Sequence, residues 1–168
     1  LIFHAPTRGL MGYTSRFLTL TKGTGVINRI FHGYGKFEGE MDGRKNGALI
    51  SMANGKAVAF AIFNLQARGE MFVTHNDPVY EGMIVGLAPK PGDMIINVMK
   101  GKQLTNMRTQ GTDENVVLTP VRQMSIAEQL SMLNTDEALE ITPKSLRLRK
   151  AILNPNDRKK NEKSGTPL

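Results

Sequence analysis

The chain has 168 residues, 40% of them hydrophobic, which suits one domain or two small ones. Cysteine is absent, which excludes disulfides and thiolate metal sites and is compatible with a reducing cytoplasm, the location expected; no apolar run approaches the ~20 residues of a membrane span, and no membrane partner is expected. The net charge is +7, and residues 144–163 carry eight Lys and Arg against two carboxylates, a concentrated basic segment of the kind that meets a phosphate-rich partner.

Residues 2–5 read as the end of a strand, stopped by Pro6, with Thr7 able to cap a helix. Leu10, Tyr13, Phe17 and Leu20 then share one helical face. Gly9 and Gly12 lower the helix propensity, which points to a close approach by a sheet or a ligand backbone. Gly23 fits the C′ position after this helix. Residues 26–34 alternate as a strand, so the opening reads strand, helix, strand, half of a split βαβ unit. The chain opens on Leu1, inside a strand-like run, which predicts a fragment of a longer protein.

Residues 33–47 are rich in glycine and charge and mark a domain boundary near residue 35. Residues 48–52 and 57–63 flank Asn54-Gly55, a type I′ turn signal that predicts a β-hairpin. Residues 64–69 suggest a helical turn, and 71–73 a short strand. Residues 79–87 and 94–99 predict a second strand pair, joined by a turn that Pro89, Pro91 and Gly92 enforce.

Residues 99–119 form a polar run of a length uncommon for loops inside compact domains, where such loops are functional or disordered. Lys100, Lys102 and Arg108 can neutralise phosphates, while Gln103, Thr105 and Asn106 can bond sugars or bases. Ser125 and Glu128 form a capping box, and Ile126, Leu130 and Leu133 predict an amphipathic face. Residues 138–141 and 146–149 read as strands, the latter with Arg147 and Arg149 on one side. Arg147, Arg149 and Lys150 are a second candidate basic surface. From residue 154 the composition is that of a disordered or helical basic tail, with Arg158, Lys159 and Lys160 as a third cluster.

No catalytic set is legible. There is no G-x-x-x-x-G-K-[ST] loop, and Thr21-Lys22-Gly23-Thr24-Gly25 follows a helix with the wrong spacing. His4, His32 and His75 are scattered, no G-x-S-x-G elbow occurs, and Asp113-Glu114 are adjacent and so rarely face each other. This stretch is therefore expected to be no enzyme and to hold no cofactor, metal or small-molecule substrate.

Gly12-Tyr13-Thr14-Ser15 and Leu20-Thr21-Lys22-Gly23-Thr24-Gly25 resemble the second helix and following strand of domain V of elongation factor G. Arg8-Gly9-Leu10-Met11-Gly12-Tyr13 is similar to a narrower group, the TypA/BipA translational GTPases. The runs Val79-Tyr80-Glu81-Gly82-Met83-Ile84-Val85-Gly86, Leu104-Thr105-Asn106-Met107-Arg108 and Thr142-Pro143-Lys144-Ser145-Leu146-Arg147-Leu148-Arg149-Lys150 resemble that group's C-terminal region. The resemblance extends from Leu1 to about Leu153.

It implies an α+β chain: residues 1–35 as the second half of a ferredoxin-like, domain V-like fold and 36–153 as a strand-rich, family-specific C-terminal domain with the basic loop 99–119; beyond it, composition makes 154–168 a basic tail, expected to be flexible. The parent would be a ribosome-associated GTPase whose GTP and Mg sites lie in a separate N-terminal domain. The part present would bind the ribosome, its long loop contacting large-subunit rRNA and A-site tRNA, with roles in ribosome assembly and in growth under stress. One departure is visible: Gly101 and Gln103 interrupt the basic run that the family usually carries before Leu104-Thr105-Asn106. The alternatives are a stand-alone RNA-binding domain, which predicts a complete domain beginning near Leu1, and a small enzyme with a cryptic site, which predicts a nucleophile and base in one pocket.

Overall fold

A computed structural model describes residues 1–39, 44–101, 117–121 and 123–164. The architecture is α+β, as the sequence predicts. It divides into two compact units, Leu1–Arg44 with Met124–Asn134, and Lys45–Gln123 with Thr135–Leu168. Among the described residues, no helix is long and apolar enough to cross a membrane.

In the first unit a 3-10 turn, Thr7–Leu10, leads to Gly12, whose φ of +70° breaks the helical path before α1, Tyr13–Leu20. The C-terminus of α1 is a Schellman motif. The Gly23 N–H donates to Leu18 O at 2.7 Å and the Lys22 N–H to Thr19 O at 3.2 Å. Lys22, with φ +51°, holds the left-handed C′ place expected for Gly23, which comes one residue later.

The close approach at Gly12 is made by a helix and not by the expected sheet or ligand backbone: a Cβ on Gly12 would lie 2.7 Å from Ser131 Oγ of α3, Ile126–Ser131. The capping box of α3 is formed, with Ser125 Oγ accepting from the Glu128 N–H at 3.3 Å and Glu128 Oε2 accepting from the Ser125 N–H at 3.0 Å. The expected apolar face is not its buried one. Glu128 and Gln129 are buried, whereas Ile126 and Leu130 are 47% and 40% exposed.

The strands expected at 2–5 and 26–34 are not formed. A strand requires a partner ladder, and these segments do not pair, so Ile30 and Phe31 stand 92% and 75% exposed.

The second unit is organised on a four-stranded sheet, order β3-β5-β1-β6. Its strands are β1 (Ala48–Ser51), β3 (Glu70–Met71), β5 (Ile84–Leu87) and β6 (Met94–Ile96). β1 is central. It runs antiparallel to β5, with a register shift between Leu49 and Ile50, and parallel to β6. All four β1 residues are buried because both its flanks and both its faces are covered.

The hairpin expected around Asn54-Gly55 does not exist. Residues 59–66 form α2, Ala59–Gln66, instead of a return strand. Alanine at 59 and 61 favours helix, and only Ile62 in the run is β-branched. Ala61, Ile62 and Leu65 are its buried residues. Neither Asn54 nor Gly55 adopts the positive φ that a type I′ turn requires. β2, Gly55–Lys56, pairs with β4, Pro78–Val79. The strands expected at 79–87 and 94–99 are present, but they flank β1 and do not pair with each other.

The core joins Leu49, Ile62, Met71, Val79, Val85, Ile96 and Val98. Each such side chain contributes about 2 kcal/mol by leaving water. A separate hairpin, β7 (Glu137–Ile141) and β8 (Leu146–Lys150), is in full register from Glu137↔Lys150 to Ile141↔Leu146. It attaches to the entry of β5: Met83 bridges Arg149, and the Lys150 N–H donates to Gly82 O at 2.9 Å. Residues 155–164 form α4, Pro155–Ser164. Asn154 Oδ1 accepts from the Asn156 and Asp157 N–H groups at 2.8 and 3.4 Å, and Pro155 takes the first helical position, where its missing N–H costs nothing.

Candidate nucleic-acid interface

Two basic features converge on the ribbon formed by β2 and β4. The first is the place where the chain enters and leaves the polar run 99–119. Val98 is fully buried, Met99 and Leu118 pack partly buried against the same core, and Lys100 is exposed where the chain leaves the sheet. Both ends of the run 99–119 are thus fastened to one core. The Met99 N–H donates to Asn97 Oδ1 at 2.9 Å, which tightens the exit. Lys102, Gln103, Thr105, Asn106 and Arg108 lie outside the described residues.

The exit lies against β2. The Val58 N–H donates to Val98 O at 2.9 Å, and a Cβ on Gly55 would collide with Met99 Sδ. Lys56, exposed on β2, stands beside this place. No sequence signal marked Lys56, because the Asn54-Gly55 reading left it in the connection between the strands expected at 48–52 and 57–63.

The second feature is the β7–β8 hairpin, reached from the far side of the ribbon. Gly55 is registered with Val79, and Tyr80, next in the chain, donates its hydroxyl to Glu140 Oε2 at 2.6 Å. Burial, then the hydrogen bond and charge of Glu140, push the Tyr80 phenol up to about 12 against the opposing pull of Arg149 and Arg147. Glu140 Oε1 also holds Arg147 Nη1 at 3.5 Å, across the strand in direct register. Arg149 Nη1 donates to Lys150 O at 3.1 Å and Ala151 O at 3.4 Å. Arg147 and Arg149 share one face of β8 and remain partly exposed. A guanidinium in that setting can accept a phosphate while retaining its positioning bonds.

Lys150 does not belong to that surface. Strand parity turns it, with Leu148, to the opposite face, and it is only 2% exposed. Its Nζ lies 2.5 Å from Asp93 Oδ2, 2.7 Å from Asp136 Oδ2 and 2.9 Å from Glu137 Oε1. Burial lowers the Lys150 pKa, but hydrogen bonds to Asp136, Asp93 and Glu137 outweigh it and leave the pKa above the ordinary value. Asp93 also accepts the Ala48 N–H through Oδ1 at 2.7 Å, so one ammonium ties the hairpin to the turn that begins β6 and to the edge of β1. The alternation of 147 and 149 against 148 and 150 was available in the sequence and separates Lys150 from the arginines.

Arg158 of the third cluster is likewise turned inward, donating to Ile152 O at 3.0 Å and Leu153 O at 2.7 Å. Lys159 and Lys160 are exposed.

Among known proteins, the TypA/BipA C-terminal domain family matches residues 46–155. Three similar proteins, each named large ribosomal subunit assembly factor BipA, are 47% identical to the chain. The match to that of Buchnera aphidicola covers 163 residues, 96% of this chain and 27% of the relative. For Salmonella typhimurium it covers 156 residues, 92% and 26%, and for Bacillus subtilis 161 residues, 95% and 26%. The chain spans about a quarter of the length of the curated relatives it matches. With most of its length matched in this way, the chain belongs to the TypA/BipA family and carries that family's C-terminal domain.

Proposed function

We propose that this chain is the non-catalytic ribosome-binding region of a translational GTPase, and that it contacts large-subunit rRNA and A-site tRNA. The observation that carries the reading is the double anchorage of the 99–119 run, whose ends at Val98–Met99 and Leu118 are fixed on one core with Lys100 exposed at the exit. A polar, basic loop rooted in that way can be presented to RNA loops and ends, which are read through mixed phosphate, sugar and base contacts. The name these relatives carry, large ribosomal subunit assembly factor, supports the ribosome as partner.

In this reading Lys100, Lys102 and Arg108 neutralise phosphates, Gln103, Thr105 and Asn106 bond sugars or bases, and Arg147 and Arg149 form a flanking contact with Lys56 between the two. Lys150 acts beneath the surface and touches no RNA. Residues 1–35 belong to a domain V-like fold, 36–153 form the ribosome-binding domain, and 154–168 extend it. The sequence contains no phosphate-binding loop. GTP and Mg would therefore be held by other residues of a longer, cytoplasmic parent, which would serve in subunit assembly and in translation under stress.

The test is cosedimentation with purified ribosomes across a salt series, comparing the chain with a K100A/K102A/R108A variant. The expected result is weaker binding and a salt slope shallower by up to ~3, for three lost phosphate contacts. Equal affinities and slopes would remove the loop from the interface.

A further inference from the structure

The basic C-terminal segment spends its charge unevenly. Of the eight basic residues in 144–163, Lys150 is buried among carboxylates, Arg158 bonds two carbonyls, Arg147 is paired with Glu140, and Arg149 bonds the backbone. Lys144, Lys159, Lys160 and Lys163 remain exposed, and the last three lie on α4.

The helix has two distinct sides. Pro155, Arg158 and Asn161 are half-buried, and Arg158, Asn161 and Glu162 line a crevice with Asp136 and Ile152. At about 100° per residue, Lys159, Lys163 and Lys160 fall within an arc of about 100° facing away from that crevice. Lys160 meets only Asp157, at 3.4 Å and with both side chains largely exposed. Lys159 and Lys163 have no partner among the described residues.

The helix buries none of its residues and is polar all round. A ten-residue helix of that kind is marginal in water without a partner. It offers no apolar side for a lipid surface, which an interfacial helix requires. Its free side is a cationic ridge complementary to a polyanionic backbone.

We propose that α4 is a second RNA-docking element, and that Lys159, Lys160 and Lys163 engage the phosphate backbone of large-subunit rRNA while Arg158 and Asn154 hold the helix in place. This rests on the RNA-binding reading above and adds a site separate from the 99–119 loop. Binding stabilises the helix as it forms the contact, so docking and helix order are coupled.

The test uses the whole chain, purified large ribosomal subunits, and protein-free large-subunit rRNA. A K159Q/K160Q/K163Q variant is compared with K159R/K160R/K163R and with the loop variant K100A/K102A/R108A. The expected result is about a tenfold loss of affinity for both ligands at low salt in the glutamine variant, with a slope shallower by about 2. The arginine variant should bind as the unmodified chain does, and amide exchange across α4 should slow when rRNA is added. A glutamine variant with unchanged affinity and slope overturns the proposal. If only the loop variant weakens, the loop reading stands and the α4 site fails; if neither weakens, or the chain binds neither ligand, both fail. Loss of subunit binding with rRNA binding retained assigns the ridge to a ribosomal protein and overturns the RNA assignment.

Discussion

Lys150 Nζ and Asp136 Oδ2 lie 2.7 Å apart; this contact and the one to Glu137 close the β7–β8 hairpin, while the contact of the same ammonium with Asp93 ties the hairpin to the main sheet. The Glu137 side chain is fully buried, whereas Asp93 and Asp136 keep 35% and 45% of their exposure. Removing the ammonium therefore takes the cation from one carboxylate shut off from water and from two that reach it. Lys150→Met is expected to lower stability by about 3 kcal/mol, as for breaking a buried pair from one side. Urea unfolding measures this, and a change below about 1 kcal/mol would show that the charge cluster does not secure the hairpin.

Stability should fall at alkaline pH. The folded chain holds the Tyr80 proton up to about 12 against an ordinary 10.0, and holds that of Lys150 above 10.5. On raising the pH the unfolded chain releases these protons first, so their contribution is intact below pH 10 and is lost as pH climbs through the folded value of Tyr80. Tyr80→Phe is expected to remove part of that alkaline slope and the phenolate signal near pH 12. Phenolate absorbance against pH, read beside urea midpoints, checks both.

Glu140 holds Arg147 at 3.5 Å and so competes with any phosphate for that guanidinium. Glu140→Gln should tighten RNA binding two- to fivefold at low salt and steepen the salt slope by up to ~1, because one more cation becomes available to phosphate. It should also bring the Tyr80 pKa down, since the carboxylate raises it. RNA titrations at several salt concentrations would show the reverse, an unchanged or weaker affinity, if Arg147 does not face the ligand.

Gly82 has φ +82°, and a Cβ there would lie 2.7 Å from Leu153 Cα and 2.8 Å from Leu153 O. Gly82→Ala adds left-handed strain and a backbone collision where the chain leaves β8, so a loss of at least about 2 kcal/mol is expected. A thermal midpoint within experimental scatter of the unmodified chain would show that residues 151–153 can move aside freely.

Local chemistry was legible in the sequence, and long-range pairing was not. The capping box of Ser125 and Glu128 depends on residues three apart and formed as read. The strands at 138–141 and 146–149 followed from composition and alternation, whereas their pairing as the β7–β8 hairpin was not read. The Asn54-Gly55 signal misled because the partners of β1 lie beyond α2, and tertiary burial of Ala61, Ile62 and Leu65 overrode a two-residue turn preference. The basic character of the candidate interface was visible residue by residue, and alternation set Lys150 apart from Arg147 and Arg149, but which face of β8 is buried depends on the carboxylates of Asp93 and Glu137. Half of that answer lies on other strands.

The central place of β1 also bears on how the chain is made. Its four residues emerge during synthesis well before either flanking strand, and until β5 and β6 follow, an apolar segment with open hydrogen-bonding edges has nothing to pair with. The ammonium that fastens the hairpin arrives later still, and Glu137 is already waiting for it. Such an order favours slow, late closure of the sheet and leaves β1 exposed to misassociation until residues 84–96 have left the tunnel.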